Sequence, residues 1–93
     1  MTDQPAVRNN PAHSRFELDT GAGMAVVNYV PAPGVLTFVH TEVPRQLRER
    51  GLASRLLHDA LQLVRAEGLK VVPRCGFVRH YLDTHPEFQD LLA

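Results

Sequence analysis

The residues whose types and spacing most clearly suggest chemistry surround Gly51, where three arginines precede a helical pattern. Arg45, Arg48 and Arg50 come just before this glycine, and Glu49 is the one acidic residue among them. A helix N-terminus carries partial positive charge and exposes backbone N–H groups, so arginine there costs up to about 1 kcal/mol. Glycine allows close approach of a ligand to the backbone. The segment therefore favours a bound anion such as a phosphate, although a solvated arginine-rich loop has the same pattern.

The other reactive side chains are one cysteine and five histidines. Cys75 has no second cysteine with which to form an internal disulfide, and the Cys/His spacing is not that of a zinc site. We therefore predict no metal site.

The elements that position these residues follow from two periodicities. Residues 13–18, 24–30 and 35–41 are rich in β-branched or aromatic residues and are separated by Gly- and Pro-containing turns, which predicts an antiparallel meander. Apolar residues at 3–4 spacing predict a helix over residues 51–66.

The rest of the chain adds a short strand and a second helix. Residues 69–72 precede Pro73, and a second helical pattern with Phe77, Val78, Tyr81 and Leu82 on its apolar side follows. The order is β-β-β-α-β-α, an α/β fold in which the long helix is a crossover that makes the last two strands parallel. The arginine-rich segment then lies where parallel strands end, a favoured ligand position.

Length and composition bound the class of protein. The chain has 93 residues, of which 44% are hydrophobic and 22% charged, and ten basic residues balance ten acidic ones. These values indicate one domain, residues 13–93, after a flexible tail, residues 1–12, and exclude an overall basic nucleic-acid footprint. No apolar run approaches the ~20 residues of a membrane span, and the start lacks a signal-peptide pattern. We expect a cytoplasmic protein, a monomer or weak homodimer, without nucleic-acid or membrane partners.

The segment Arg48-Glu49-Arg50-Gly51-Leu52-Ala53 resembles the Q/R-x-x-G-x-G/A pyrophosphate loop of the GNAT N-acetyltransferase superfamily. Residues 36–44, 75–82 and 85–88 extend the resemblance to its small YjdJ-type (GTLF3B-like) branch, over roughly residues 15–92. Two positions depart from the pattern: Glu49 stands where glycine is frequent, and Arg74 adds bulk and charge at the acceptor entrance.

The resemblance implies a minimal GNAT-like fold with acetyl-CoA as cosubstrate. The third strand would hydrogen-bond the pantetheine arm with its backbone, at Thr41, Glu42 and Val43. The loop and the start of the long helix would hold the pyrophosphate through Arg48, Glu49, Arg50, Gly51, Leu52, Ala53 and Ser54. The last strand would splay away at Pro73, which cannot donate a ladder hydrogen bond and is equally typical of a simple strand end.

The same resemblance implies two catalytic candidates: Cys75 as a thiolate would attack the thioester, and Tyr81 would protonate the departing CoA thiolate. His40 is a third candidate because it ends the third strand at the edge of the same cleft, where it would take a proton from Cys75 or from the amine. Each has a structural alternative: a small buried cysteine, a histidine hydrogen-bonded at a strand end, and a core tyrosine.

Two main functions remain open at this point. The first is transfer of an acetyl group from acetyl-CoA to an amine on a small molecule or protein. The second is a non-catalytic CoA-binding or protein-interaction module, which needs the anion site but neither Cys75 nor His40. A small α/β domain without any cofactor would use none of these residues.

Overall fold

One five-stranded sheet forms the centre of the computed structural model, which describes residues 6–93 except for the side chains of residues 48–50. Its strands, in spatial order, are β1 (Arg8–Asn10), β2 (Arg15–Asp19), β3 (Met24–Ala32), β4 (Val35–Glu42) and β5 (Lys70–Pro73). The α-helices are α1 (Leu52–Ala66) and α2 (Gly76–Asp83), and short 3-10 helices are formed by Pro11–His13, Arg45–Arg50 and Pro86–Leu91. No helix in this part of the chain is long and apolar enough to span a membrane.

The strand pairing confirms the predicted α/β fold. Strands β1 to β4 are antiparallel neighbours, and β5 runs parallel to β4 after the α1 crossover. The β4–β5 pairing begins with Val35 opposite Lys70 and ends with Phe38 opposite Pro73. The N–H groups of both Arg74 and Cys75 donate to the Phe38 carbonyl, at 2.9 and 3.0 Å. Beyond this point β4 continues and the chain turns into α2, so the two strands diverge as predicted.

The core lies between the sheet and one face of α1. The 3–4 spacing of apolar residues gives α1 a continuous buried stripe, formed by Leu56, Leu57, Ala60, Leu61 and Val64. Against it the sheet presents a cluster of rings, with centroids 5.4 Å apart for Phe16–Tyr29 and 5.9 Å for Phe16–Phe38. Burial of this apolar surface is the main force that holds α1 over the sheet, where it contacts β1, β2, β3 and β5.

The shorter helix α2 packs with a narrower stripe than the sequence predicts. Val78, Tyr81 and Leu82 are buried, whereas Phe77 is 38% exposed. The prediction that Phe77 belongs to the packed face was wrong, because this residue lies in the first turn, where α2 borders an open cleft.

The N-terminal region differs from the expected tail. Arg8–Asn10 forms β1 and pairs antiparallel with β2, and Val7 is buried. A three-residue strand is too short for alternation to show in the sequence. Residues 1–5 of the predicted tail lie outside the described residues, and the boundary between tail and domain stays a prediction.

A buried carboxylate joins β1 to β2. Glu17 is 3% exposed and accepts hydrogen bonds from Asn10 Nδ2 at 2.9 Å and from Arg15 Nε at 2.7 Å. Arg8 Nε lies 3.6 Å from its other oxygen. The bonds from Asn10 and Arg15 lower the pKa of Glu17 below its ordinary value although burial alone would raise it. The edge strand is thus held by a charged network as well as by backbone pairing.

Candidate functional site

A pocket of about 490 Å³ opens where β4 continues beyond the end of β5. It is lined by the last residues of β4 and the segment after it, by the first turn of α1 and by the first turn of α2: His40, Thr41, Glu42, Val43, Ala53 and Phe77. Diverging strand ends beside helix N-termini are a common ligand position in α/β sheets. Five of the predicted site residues therefore lie together around one cavity.

The N-terminus of α1 forms one end of this pocket. Gly51 has φ +71°, a left-handed conformation that favours glycine, and its carbonyl accepts the N–H of Arg55 at 3.1 Å. Among the described side chains none caps the helix, and its first turn contains no acidic residue. The half-buried Leu52 and Ala53 and the exposed Ser54 form that first turn. Their backbone N–H groups precede the first intrahelical bond and are suited to an anion.

The three charged residues of the predicted loop lead directly into Gly51. Their backbone forms the second half of the 3-10 helix Arg45–Arg50. The side chains of Arg48, Glu49 and Arg50 lie outside the described residues, so their part in anion binding stays a prediction.

The opposite wall of the pocket is the end of β4, where the pairing with β3 is irregular. Asn28 pairs with His40 and Tyr29 with Phe38, which leaves Val39 as an extra residue in a β-bulge. Beyond the bulge, His40 and Glu42 are exposed, and His40 Nε2 lies 3.6 Å from Glu42 Oε1. The predicted base therefore lies at the pocket with a carboxylate beside it.

Cys75 lies next to the pocket as the N-cap residue of α2. Its Sγ is 3.6 Å from Thr41 Oγ1. Burial raises the pKa of this thiol, but the backbone of Val78, the side chain of Thr41 and the backbone of Phe77 and Thr41 outweigh burial, and the net pKa is lowered. A cysteine in such surroundings is more readily deprotonated than a free one. The side-chain partner of the sulfur is thus Thr41, while His40 lines the adjoining pocket.

Tyr81 lies one turn after Phe77 on α2 and is not among the residues that line the pocket. Its ring stacks on His85 with centroids 3.8 Å apart and lies 6.2 Å from the ring of Phe88. Burial, followed by the nearby carboxylates of Glu87 and Asp59, raises the pKa of its hydroxyl. Its ring contacts are thus with His85 and Phe88, and its catalytic role stays a prediction.

Two contributors to the site were not found from sequence: the ring of Phe77 and the hydroxyl of Thr41. For Phe77 the available signal was its position directly after Cys75-Gly76, at the start of a helix rather than in its interior. For Thr41 no signal existed, because the bulge at Val39 that orients its side chain has no sequence signature here.

Comparison with known proteins finds relatives over most of the chain. A family model described as GCN5-related N-acetyl-transferase matches residues 15–91, which include every pocket-lining residue. The chain belongs to this family. Among its relatives, the mouse and chicken proteins called Protein NATD1 are each 34% identical over 83 residues, covering 89% of this chain and 68% of theirs. The human Protein NATD1 is also 34% identical, with 66% of its length covered.

The GNAT fold is found in a solved structure as well. The NMR solution structure of a GCN5-like protein from Staphylococcus aureus matches with a TM-score of 0.73 and 21% identity. The match covers 99% of this chain and 91% of that one. The two chains therefore share one fold over nearly their whole length.

Proposed function

We propose that this GNAT-family protein is an acetyl-CoA-dependent N-acetyltransferase that passes an acetyl group to an amine. The observation that carries this proposal is the pocket, which extends from the end of β4 to the first turn of α1, where no described side chain caps the helix, and whose lining residue Thr41 contacts the Cys75 sulfur. Acetyl-CoA is a long molecule with a diphosphate toward one end and a thioester at the other, and its shape and charge suit such a groove.

The residues at the start of α1 fit a diphosphate. No described atom beyond the chain neighbours lies within 4 Å of where a Cβ on Gly51 would stand, so the backbone there is open to a ligand. The first-turn N–H groups of residues 52–54 supply donors, and Arg48 and Arg50 supply positive charge in the sequence. The backbone of Thr41, Glu42 and Val43 would hold the pantetheine arm where β4 continues beyond the end of β5.

Cys75 has the properties of a nucleophile in this arrangement. Its thiolate would attack the thioester carbonyl, so that a carbon–sulfur bond to Cys75 forms as the bond to CoA breaks and CoA leaves as a thiolate. The amine then attacks the acetyl-cysteine, and its carbon–nitrogen bond forms as the Cys75 thiolate leaves. A lowered thiol pKa favours both steps, because the sulfur is first a nucleophile and then a leaving group.

His40 is suited to accept the proton that the amine loses. Glu42, at 3.6 Å from its ring nitrogen, would stabilise the imidazolium that forms. Since both side chains are exposed, the proton can pass on to water after each turnover.

The proposal is tested by following acetyl-CoA and the protein together. Intact-protein mass spectrometry should show one acetyl group on the wild type after mixing with acetyl-CoA, and none on Cys75→Ala. His40→Ala should still gain the acetyl group but release CoA more slowly when an amine is present. If both variants release CoA at the wild-type rate, the nucleophile and base assignments are wrong. A thermal shift with CoA and no release from acetyl-CoA would support a non-catalytic CoA-binding module instead.

A further inference from the structure

The sulfur of Cys75 meets a side chain that the proposed mechanism does not use. Thr41 and Cys75 are 34 residues apart in the chain, yet Thr41 Oγ1 and Cys75 Sγ are separated by 3.6 Å. The contact joins the end of β4 to the first turn of α2, on the side of the sheet where Cys75 packs against the hydrophobic core.

The β-bulge is what brings Thr41 to this side. Leu36 and Phe38 are buried, and regular alternation would give His40 the next inward position. The extra residue Val39 reverses the alternation, so that His40 is exposed, Thr41 half-buried and Val43 buried. Because Val39 is accommodated as a bulge, Thr41 and not His40 meets the sulfur.

We propose that the Thr41 hydroxyl is a positioning group for Cys75, donating a hydrogen bond that holds the sulfur against the start of α2 and beside the pocket. This inference rests on the proposed role of Cys75. A hydroxyl has one hydrogen and can turn it toward whichever neighbour needs a donor. Because a thiolate has no hydrogen, a hydrogen bond across the 3.6 Å contact must then come from the hydroxyl.

The charged side chains on the segments around Cys75 have to stay unchanged in any test of its thiol pKa. His40 and Glu42 come from β4, Arg74 precedes Cys75, and Arg79 on α2 donates to the Pro73 carbonyl at 3.3 Å. None of these is altered by a change at Thr41, so a change in thiol titration reports on the hydroxyl.

The experiment compares Thr41→Val, which removes the hydroxyl but keeps the branched shape, with Thr41→Ser, which keeps it. The rate of Cys75 alkylation by iodoacetamide is measured against pH, and the alkylated residue is known because the chain has one cysteine. The pH at which this rate is half-maximal should rise by about one unit in Thr41→Val and stay near the wild-type value in Thr41→Ser. Thr37→Val is the matched control on the same strand, since Thr37 lines a separate surface depression with Val30 and Val39.

An unchanged midpoint in Thr41→Val, or an equal rise in Thr37→Val, would overturn the inference. So would a Thr41→Ser midpoint as high as that of Thr41→Val. Circular dichroism checks that the variants fold, and if Thr41→Val does not, Thr41→Ala takes its place with the same expected rise. Alkylation needs no acetyl transfer. The thiol result therefore stands even if Cys75→Ala retains CoA release, an outcome that would count against the proposed function alone.

Discussion

Replacing Gly51 by alanine tests whether the N-terminus of α1 binds the diphosphate. The change has a calculable effect on folding, because Gly51 has φ +71°. An L-residue in this left-handed conformation costs about 1–2 kcal/mol, and the less flexible unfolded chain offsets part of that cost. We therefore expect Gly51→Ala to lower the free energy of unfolding by about 1 kcal/mol, or Tm by about 4–8 °C for a domain of this size.

The same chain offers a matched control at the other end of α1. Gly68 has φ +70°, and an added Cβ would meet no described atom within 4 Å at either glycine. Gly68→Ala should therefore lose a similar amount of stability through the same backbone strain. The two variants differ in one respect, since the methyl group of Gly51→Ala occupies the space through which a phosphate would approach the helix amides. We expect acetyl-CoA affinity to fall about tenfold or more in Gly51→Ala alone.

Thermal unfolding with and without acetyl-CoA, together with isothermal titration calorimetry, measures both effects. A ligand that binds the folded state raises Tm by mass action, so wild type and Gly68→Ala should show a clear increase and Gly51→Ala a much smaller one. Equal ligand-induced increases in the two variants would refute the placement of the diphosphate at this helix terminus. A loss of stability in Gly68→Ala but not in Gly51→Ala would refute the strain calculation instead.

Three further predictions concern residues outside the pocket. Glu17→Gln should lower the free energy of unfolding by about 1–3 kcal/mol at neutral pH, because it removes the charge that Asn10 and Arg15 bind. Since folding lowers this carboxyl's pKa, the difference should be complete above the ordinary value of 4.5 and disappear as pH falls through the lower folded-state pKa, as urea titrations would show. Tyr81→Phe should keep the rate of CoA release, followed in a thiol assay, within about twofold, since the Tyr81 ring stacks on His85 and does not line the pocket. A loss of about a hundredfold in that rate would support the acid role instead. Phe88→Ala should cost about 3–5 kcal/mol, seen as a lower urea midpoint, because its ring is fully buried.

The order of elements could be predicted because long periodic segments carry strong signals. The helix expected over residues 51–66 is α1 at Leu52–Ala66, and the parallel pairing of β4 with β5 follows from its length. The divergence of these strands at Pro73 was predicted through the family resemblance, with which a proline at that point is consistent. Of the residues that line the pocket, Thr41, Glu42, Val43 and Ala53 were predicted through the family pattern, and His40 from its position at the end of the third strand.

What could not be predicted depends on contacts between distant parts of the chain. The sequence carries no sign that Glu17 is buried, because Asn10, which binds its carboxylate, comes from the separate short strand β1. The inward turn of Thr41 depends on a mismatch in length between β3 and β4, which no local pattern records. Tyr81 keeps helical spacing whether it faces a cleft or the ring of His85, so periodicity alone cannot distinguish the two.

The unpaired position at Val39 makes the facing of the last β4 residues depend on their partners in β3 rather than on residue 39. Val39 is 41% exposed, so exchanging it for another residue alters little beyond the surface. Deleting it would leave Phe38 and His40 paired in succession with Tyr29 and Asn28, so the histidine would stay outward and the threonine inward. Among natural variants of this chain, the pairing of Thr41 with Val27 is therefore expected to be kept more strictly than either the presence or the identity of residue 39.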